Sequence, residues 1–388
     1  MKNVTKALIA GAGAAASYGT YVATTYLRYG HAKPARGAAS DALLDRVMAE
    51  FDVCERHHVH VDAPAESVLA AATEQDLQHS PVIRGFFKAR ELLMRGHTTA
   101  TRPPIGLLAE LKALGWRVVA EVPGREIVVA AVTRPWEAEP TFRGMPAEQF
   151  ATFAEPDYVK IAVTLRADPA PGGGATFRTE TRALATDAGA ARKFRPYWSL
   201  LSPGIILIRA ATLPGLPAAA DRRWALEGDD LIPEPRAQMT HSITIEATPA
   251  EIWPWLLQMG RRRAGWYSWD VLDNGGKRSA DRIIPDLQHL AVGDVLPWGD
   301  AGPEGFSVER ILPERALILG SNAPRRHGTW AFVLEPLGPT TTRLVTRYRA
   351  AYAPTIANAA LVQALSAVHA FMEGKQLRSI KQRAERSR

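Results

Sequence analysis

The chain has 388 residues, 46% hydrophobic and 22% charged, a length that fits two domains and a composition that excludes fibrous, wholly disordered and polytopic membrane proteins. Cys54 is the single cysteine, which excludes an intramolecular disulfide and a cysteine zinc cluster. The net charge of +7 sits at the ends: residues 1–36 hold five basic residues and no acid, residues 373–388 hold six basic and two acidic, and the body between sums to −2.

Residues 1–36 read as a membrane anchor or signal-like segment. Ala7–Leu27 is a run of 21 uncharged positions, long enough to cross a bilayer as a helix. Tyr18, Tyr21, Tyr26 and Tyr29 cluster toward its end as interfacial aromatics do, and Gly11, Ala15 and Gly19 make a small-residue face. Three readings stand: a single N-terminal anchor that makes the protein membrane-associated, a cleaved signal peptide ending near Ala14-Ala15-Ala16 and giving a secreted protein, or a soluble lead-in of a cytoplasmic one.

From Asp41 onward one order of elements occurs twice. In the first copy (41–220), Val53–Asp62 alternates as a strand and Asp62-Ala63-Pro64-Ala65-Glu66 opens a helix with a cap, an early proline and a first-turn acid. Helical sequence follows through Val68–Ala72 and Ile83–Met94, with a proline-interrupted insertion near Thr98–Gly115. Strands are expected at Trp116–Val122, Glu126–Thr133, Tyr158–Ala167 and Thr176–Thr186, before a long helix from Ala188. Residues 221–238, rich in Pro, Ala and charge, read as a linker.

The second copy (239–388) repeats the pattern. Thr240–Ala247 is a strand and Thr248-Pro249-Ala250-Glu251 opens a helix carrying Ile252, Trp253, Trp255, Leu256 and Leu257. Strands resume at Gly305–Ile311, Ala316–Ser321, Gly328–Glu335 and Arg343–Ala351, and Thr355–Ala384 reads as one long helix. This is an α+β pattern in which a curved antiparallel sheet wraps a long helix and leaves an apolar cavity between them.

The junctions Val59-His60-Val61-Asp62-Ala63-Pro64-Ala65-Glu66 and Ile243-Thr244-Ile245-Glu246-Ala247-Thr248-Pro249-Ala250-Glu251-Ile252-Trp253 resemble those of the START-like, or Bet v 1-like (SRPBCC), helix-grip superfamily. Trp255–Gly260 and Arg263–Asp270, followed by Leu272-Asp273-Asn274, are similar to a bacterial subgroup of polyketide cyclase/dehydrase- and lipid-transport-like proteins. The resemblance implies two helix-grip domains and a cavity for hydrophobic ligands. It leaves activity open, because such domains serve as carriers and as cyclases.

Candidate ligand-binding residues concentrate in the second copy. Trp253, Trp266, Tyr267, Trp269, Trp298 and Trp330 offer aromatic walls, and Asp270, Asp273 and Asn274 offer polar groups that also suit turn capping. On the last strand, alternation sends Arg347 and Arg349 to one face and Tyr348 to the other; the arginines are expected in solvent by default, and an inward Arg347 would meet an acidic ligand group. Asp270, Tyr267 and His289 are the acid–base suspects for an enzyme reading. His57, His58 and His60 lack a third and fourth ligand nearby, so no metal is expected, and no cofactor motif occurs. Arg192–Trp198 with Ile205–Ile208 reads either as the closing helix of the first domain or as a membrane-touching face. The expected function is membrane-tethered binding or transport of hydrophobic small molecules or lipids, with a cyclase, aromatase or dehydratase activity as the alternative. No nucleic-acid partner is expected.

Overall fold

The computed structural model describes residues 16–76, 80–81, 83–85, 88, 105–171, 173–297, 305–321 and 327–386. The chain divides into two units, unit 1 up to Arg223 and unit 2 from Trp224, with Pro171–Gly173 grouped with the second.

Unit 1 begins with helix α1 over residues 16–28 and the short α2 (Ala42–Val47), whose first turn Asp41 caps by accepting from Leu44 N. Its sheet has the order β1-β5-β4-β3-β2, all antiparallel, from β1 (Val53–Val61), β2 (Arg117–Val122), β3 (Glu126–Thr133), β4 (Val159–Pro169) and β5 (Ala175–Ala185). Helices α3 (Ala65–Thr73), α4 (Leu107–Ala113) and α5 (Ala147–Thr152) lie between strands. The long α6 (Ala188–Thr212) follows β5, and α7 (Leu216–Arg223) ends the unit. Asp187 starts α6 by accepting from Gly189 N and Ala190 N.

Strand alternation gives the unit 1 sheet two covered faces. Val53, Val159 and Ala183 pack with Phe194 and Trp198 of α6 on one face. Val128, Ala130, Val132 and Ala162 pack with Leu44, Met48 and Phe150 on the other. β3 is therefore buried at every position, as a strand sandwiched on both sides must be.

Unit 2 has the strand order β6-β11-β10-β9-β8-β7, again antiparallel. Its strands are β6 (Ala237–Ile245), β7 (Val295–Pro297), β8 (Gly305–Leu312), β9 (Ala316–Ser321), β10 (His327–Gly338) and β11 (Thr341–Ala351). Helix α8 (Pro249–Leu257) opens with a full capping box between Thr248 and Glu251, α9 (Asp270–Asp273) is one turn, and α10 (Ile356–Arg386) is the long helix. Inward residues Ile245, Phe332, Leu334 and Leu344 form one core with Trp255 and Leu256 of α8 and with Leu377, Ile380 and Ala384 of α10.

Residues 224–236, part of the stretch read as a linker, pack on the other face of this sheet. Arg347 is 1% exposed there, bonded to Trp224 O and to Asp229 at 2.6 Å, and Arg349 reaches Asp229 at 2.8 Å. Both expectations for Arg347, solvent exposure and a place in the ligand cavity, are thus corrected. Alternation gives the cavity side of β11 to Leu344, Thr346 and Tyr348, and Arg347 meets its acid beneath the 224–236 segment. Arg182, on the last strand of unit 1, is buried in the same manner against Glu180, Asp45 and Met48 O.

Of the expected anchor at 7–27, residues 1–15 lie outside the described residues. The rest belongs to α1, which lies along α6: Tyr18 donates to Leu200 O at 2.6 Å, Tyr21 meets Ser202, and Arg195 donates to Tyr26 O while covering its ring. Among the described residues, one helix is long and apolar enough to cross a membrane, and it is not at the N-terminus. It lies within Ala188–Arg223, whose 18-residue apolar stretch has mean hydropathy 1.4 and is 28% buried.

Candidate ligand cavity of unit 2

A cavity of about 170 Å³ lies between the sheet of unit 2 and α10, lined by Trp266, Ser268, Asp273, Phe306, Trp330, His369, Met372, Glu373 and Gln376. Three elements build its aromatic wall: the loop after α8 supplies Trp266, β8 supplies Phe306, and β10 supplies Trp330. Trp266 and Trp330 stack with centroids 5.7 Å apart and planes at 28°, and Phe306 meets both rings at 5.8 and 5.3 Å. The loop is fixed by a bridge between Gly260 and Gly265. Gly265 has φ +84°, and a Cβ there would sit 2.2 Å from Ser279 Oγ. Tyr267 follows with φ 60°, an unusual backbone state for a bulky residue and one that turns the chain so that Trp266 and Ser268 reach the cavity.

The opposite wall comes from α10, where His369, Glu373 and Gln376 recur at helical spacing on one face. Glu373 is 2% exposed and accepts from Trp330 Nε1 at 2.9 Å and from His241 Nδ1 at 2.6 Å, with His369 at 3.5 Å. Burial works to raise its pKa, but the bonds to His241 and His369 outweigh burial and hold the carboxyl well below the ordinary carboxylate range. Glu373 is therefore an ionised, satisfied anchor for the cavity wall.

Three side chains in the lining have a polar atom without a hydrogen bond: His369, whose Nε2 lies 3.5 Å from Glu373, and two acceptors, Gln376 and Asp273. Gln376, 1% exposed, donates to Trp266 O at 2.9 Å, but its Oε1 has no hydrogen-bond partner. Neither carboxyl oxygen of Asp273 has an aligned donor: the Ser268 hydroxyl and the residue's own amide lie close enough to lower its pKa, but the Ser268 hydrogen goes to Met372 O at 2.8 Å. Burial, and then the charge of Asp270, push the Asp273 carboxyl up to about 6. A buried acceptor without a donor is costly, so both atoms favour a guest that brings a hydroxyl or N–H.

The residues singled out from sequence separate into distinct places. Trp266 and Trp330 line the cavity. Trp253 is in the core behind it, and Trp269 is exposed, stacked on Phe371 at 5.4 Å with Lys375 nearby. Tyr267 is buried outside the lining, its hydroxyl accepting from Gln258 at 2.8 Å and its pKa pushed up to about 12 by burial. Asp270 is committed to Ser279 N and Oγ, and Asn274 donates to Lys277 O, so both hold turns. His289 is exposed, and Trp298 lies outside the described residues. The three acid–base suspects are thus absent from the lining, whereas Asp273 is in it. His369, Glu373 and Gln376 were not singled out, although their i, i+4, i+7 spacing on a long amphipathic helix was available as a signal. No group of three or more His, Cys, Asp or Glu residues that could hold a metal occurs among the described residues.

No family model matches the chain, and no curated protein matches it. Among solved structures it is similar to the di-domain ARO/CYC protein StfQ of the steffimycin biosynthetic pathway, at 12% identity and TM-score 0.24, over 86% of this chain and 99% of that one. DynU16, from the dynemicin biosynthetic locus, is similar at 13% identity and TM-score 0.24, over 85% and 98%. A polyketide-cyclase-like protein of Corynebacterium glutamicum covers 37% of this chain at 15% identity and TM-score 0.24, with 88% of its own length matched. Each unit is a helix-grip fold. That assignment rests on the antiparallel strand orders and on the long helix packed across each sheet.

Proposed function

We propose that unit 2 binds a small, hydroxylated ring compound in the cavity between its sheet and α10. The observation that carries this reading is the pairing of a stacked Trp266–Trp330 wall with two unpartnered acceptors, Asp273 and Gln376 Oε1, in one lining. Aromatic walls favour planar guests, and the open acceptors favour a guest that donates. A cavity of about 170 Å³ is close to the roughly 150 Å³ that accommodates benzene in an engineered protein core, so one or two rings suit it better than a diacyl lipid. Titration of tryptophan fluorescence with 1-naphthol, against its methyl ether, tests the reading. The naphthol is expected to bind about tenfold more tightly, the worth of a hydrogen bond to a charged or buried acceptor. Equal binding of the two would remove the role given to Asp273 and Gln376.

A second reading, acid–base chemistry of the cyclase or dehydratase type, is favoured by the raised pKa of Asp273, which places its proton transfer near neutral pH. Turnover of a true substrate would then fall by two orders of magnitude or more in Asp273→Asn, as about 10²-fold or more is typical for a lost acid–base group, and unchanged turnover would reject it. Tethering at a membrane through residues 7–27 is part of the same proposal, supported by the 21 uncharged positions. Membrane fractionation of the full chain and of a variant lacking residues 1–36 tests it, with loss from the membrane fraction expected on deletion.

A further inference from the structure

Among the described residues, unit 1 carries a cation without a bonded partner on its long helix, Arg209. Phe194, Trp198, Ile205 and Arg209 are spaced 4, 7 and 4 apart along α6, one stripe of a helix, and the first three pack in the core against the sheet. Two residues apart on β1, Val53, Glu55 and His57 share the face that meets this stripe. The positive charge of Arg209 is felt at His57, whose pKa is lowered by burial first and by Arg209 next.

Among the described residues Arg209 makes no hydrogen bond or ion pair. Thr179, which pairs with His57 in the sheet register, is 2% exposed and its Oγ1 has no partner. His57 Nε2 is buried without a hydrogen bond, and Glu55 Oε1 lies 3.3 Å from it out of bonding alignment. Burial raises the pKa of Glu55, which lessens the competing negative charge. Phe177 continues the same face of the sheet as a buried apolar residue, and further along that face lies the apolar cluster of Phe194, Trp198 and Ile161. An unpaired charge facing a core is unfavourable unless a counter-charge completes it.

We infer that the inner face of unit 1 binds the acidic group of a small amphiphile, with Arg209 as its counter-charge, Thr179 as a hydrogen-bond donor and the neighbouring apolar surface holding its body. The site is independent of the cavity proposed for unit 2, and its ligand differs from that one in charge.

The test is a fluorescence titration of the full chain with a dansyl-labelled fatty acid and with its methyl ester, inorganic phosphate serving as competitor. The acid is expected to bind about tenfold more tightly than the ester, the worth of one charge-assisted hydrogen bond. Arg209→Gln is expected to erase that preference while leaving ester binding unchanged, Arg209→Lys to keep most of it, and Thr179→Val to weaken the acid a few-fold. Removing an unpaired charge relieves its burial, so Arg209→Gln is expected to melt no lower than wild type, which separates lost recognition from lost folding. Equal binding of acid and ester, an undiminished preference in Arg209→Gln, or displacement of the acid by an equal concentration of phosphate would each overturn the inference.

Discussion

Each first strand presents a histidine to its long helix four residues before the strand ends, His57 in unit 1 and His241 in unit 2. In unit 2 the helix answers with Glu373, Trp330 donates to the same carboxylate, and His369 stands 3.5 Å from it. In unit 1 the helical residue whose charge reaches the histidine is Arg209, a cation, which bonds to no acid among the described residues. One architecture therefore gives two polar cores with opposite completion. The charge of unit 2 is satisfied internally, and its open acceptors lie in the adjoining aromatic cavity. The charge of unit 1 is itself the open group. The fold sets where a ligand would sit, and a single helical position in each unit sets what charge it would carry.

The largest expected effect tests the closed side of this contrast. Glu373→Ala strands the donors of His241 and Trp330, and is expected to cost about 3–5 kcal/mol, as removal of one partner of a buried charged group does. Chemical denaturation checks it, and a cost under about 1 kcal/mol would mean the cluster is solvated. The pH dependence follows from the same carboxyl. Its pKa in the fold lies below the ordinary value of 4.5, so its stabilisation is full above that value and is lost as pH falls toward the lower folded pKa.

The open side predicts the opposite sign. Arg209→Met is expected to raise the stability of the ligand-free chain by about 1 kcal/mol, because an unpaired, partly buried charge is removed. A drop of that size would show that the guanidinium is satisfied. A similar but pH-dependent gain is expected at Asp273. Its carboxyl titrates near 6 in the fold against 3.8 ordinarily, so the fold holds the proton more tightly, and this contribution is full below about 3.8 and lost as pH rises through 6. Asp273→Asn should therefore raise stability at pH 8 by about 1 kcal/mol, a figure discounted for the partial exposure of the group, and change little at pH 4. Thermal unfolding at the two pH values measures the difference. The smallest effect is Trp269→Ala, expected to cost under about 1 kcal/mol, because a stacked but exposed pair with Phe371 holds no core contact.

Much of this fold was legible in the sequence because its signals are local. The Thr248–Glu251 helix opening and the alternation of β1 and β11 each act within a few residues. The short α2 and α5 and the edge strand β7 were not read, since none carries enough periodicity to stand out. Of the site, the tryptophans were legible as aromatic mass, but which of them face the cavity depends on packing. Trp253 and Trp269 differ from Trp266 only by the helix and loop that carry them. On α10 the apolar Val368 is 54% exposed, and the polar stripe His369–Glu373–Gln376 faces the sheet. A polar residue's role there follows from its partner on a distant strand, which no local pattern encodes.

A crossed titration tests the central claim most directly: 1-naphthol and the dansyl-labelled fatty acid, each against wild type, Trp266→Ala and Arg209→Gln. Trp266 suits the purpose because only its backbone carbonyl is hydrogen-bonded to Gln376, so truncation of the ring leaves that bond in place. The account predicts that Trp266→Ala weakens the naphthol about tenfold or more and leaves the fatty acid unchanged, while Arg209→Gln weakens the fatty acid and leaves the naphthol unchanged. If either variant weakens both ligands equally, or neither, the two helix-grip units do not differ in the way their inner charges indicate.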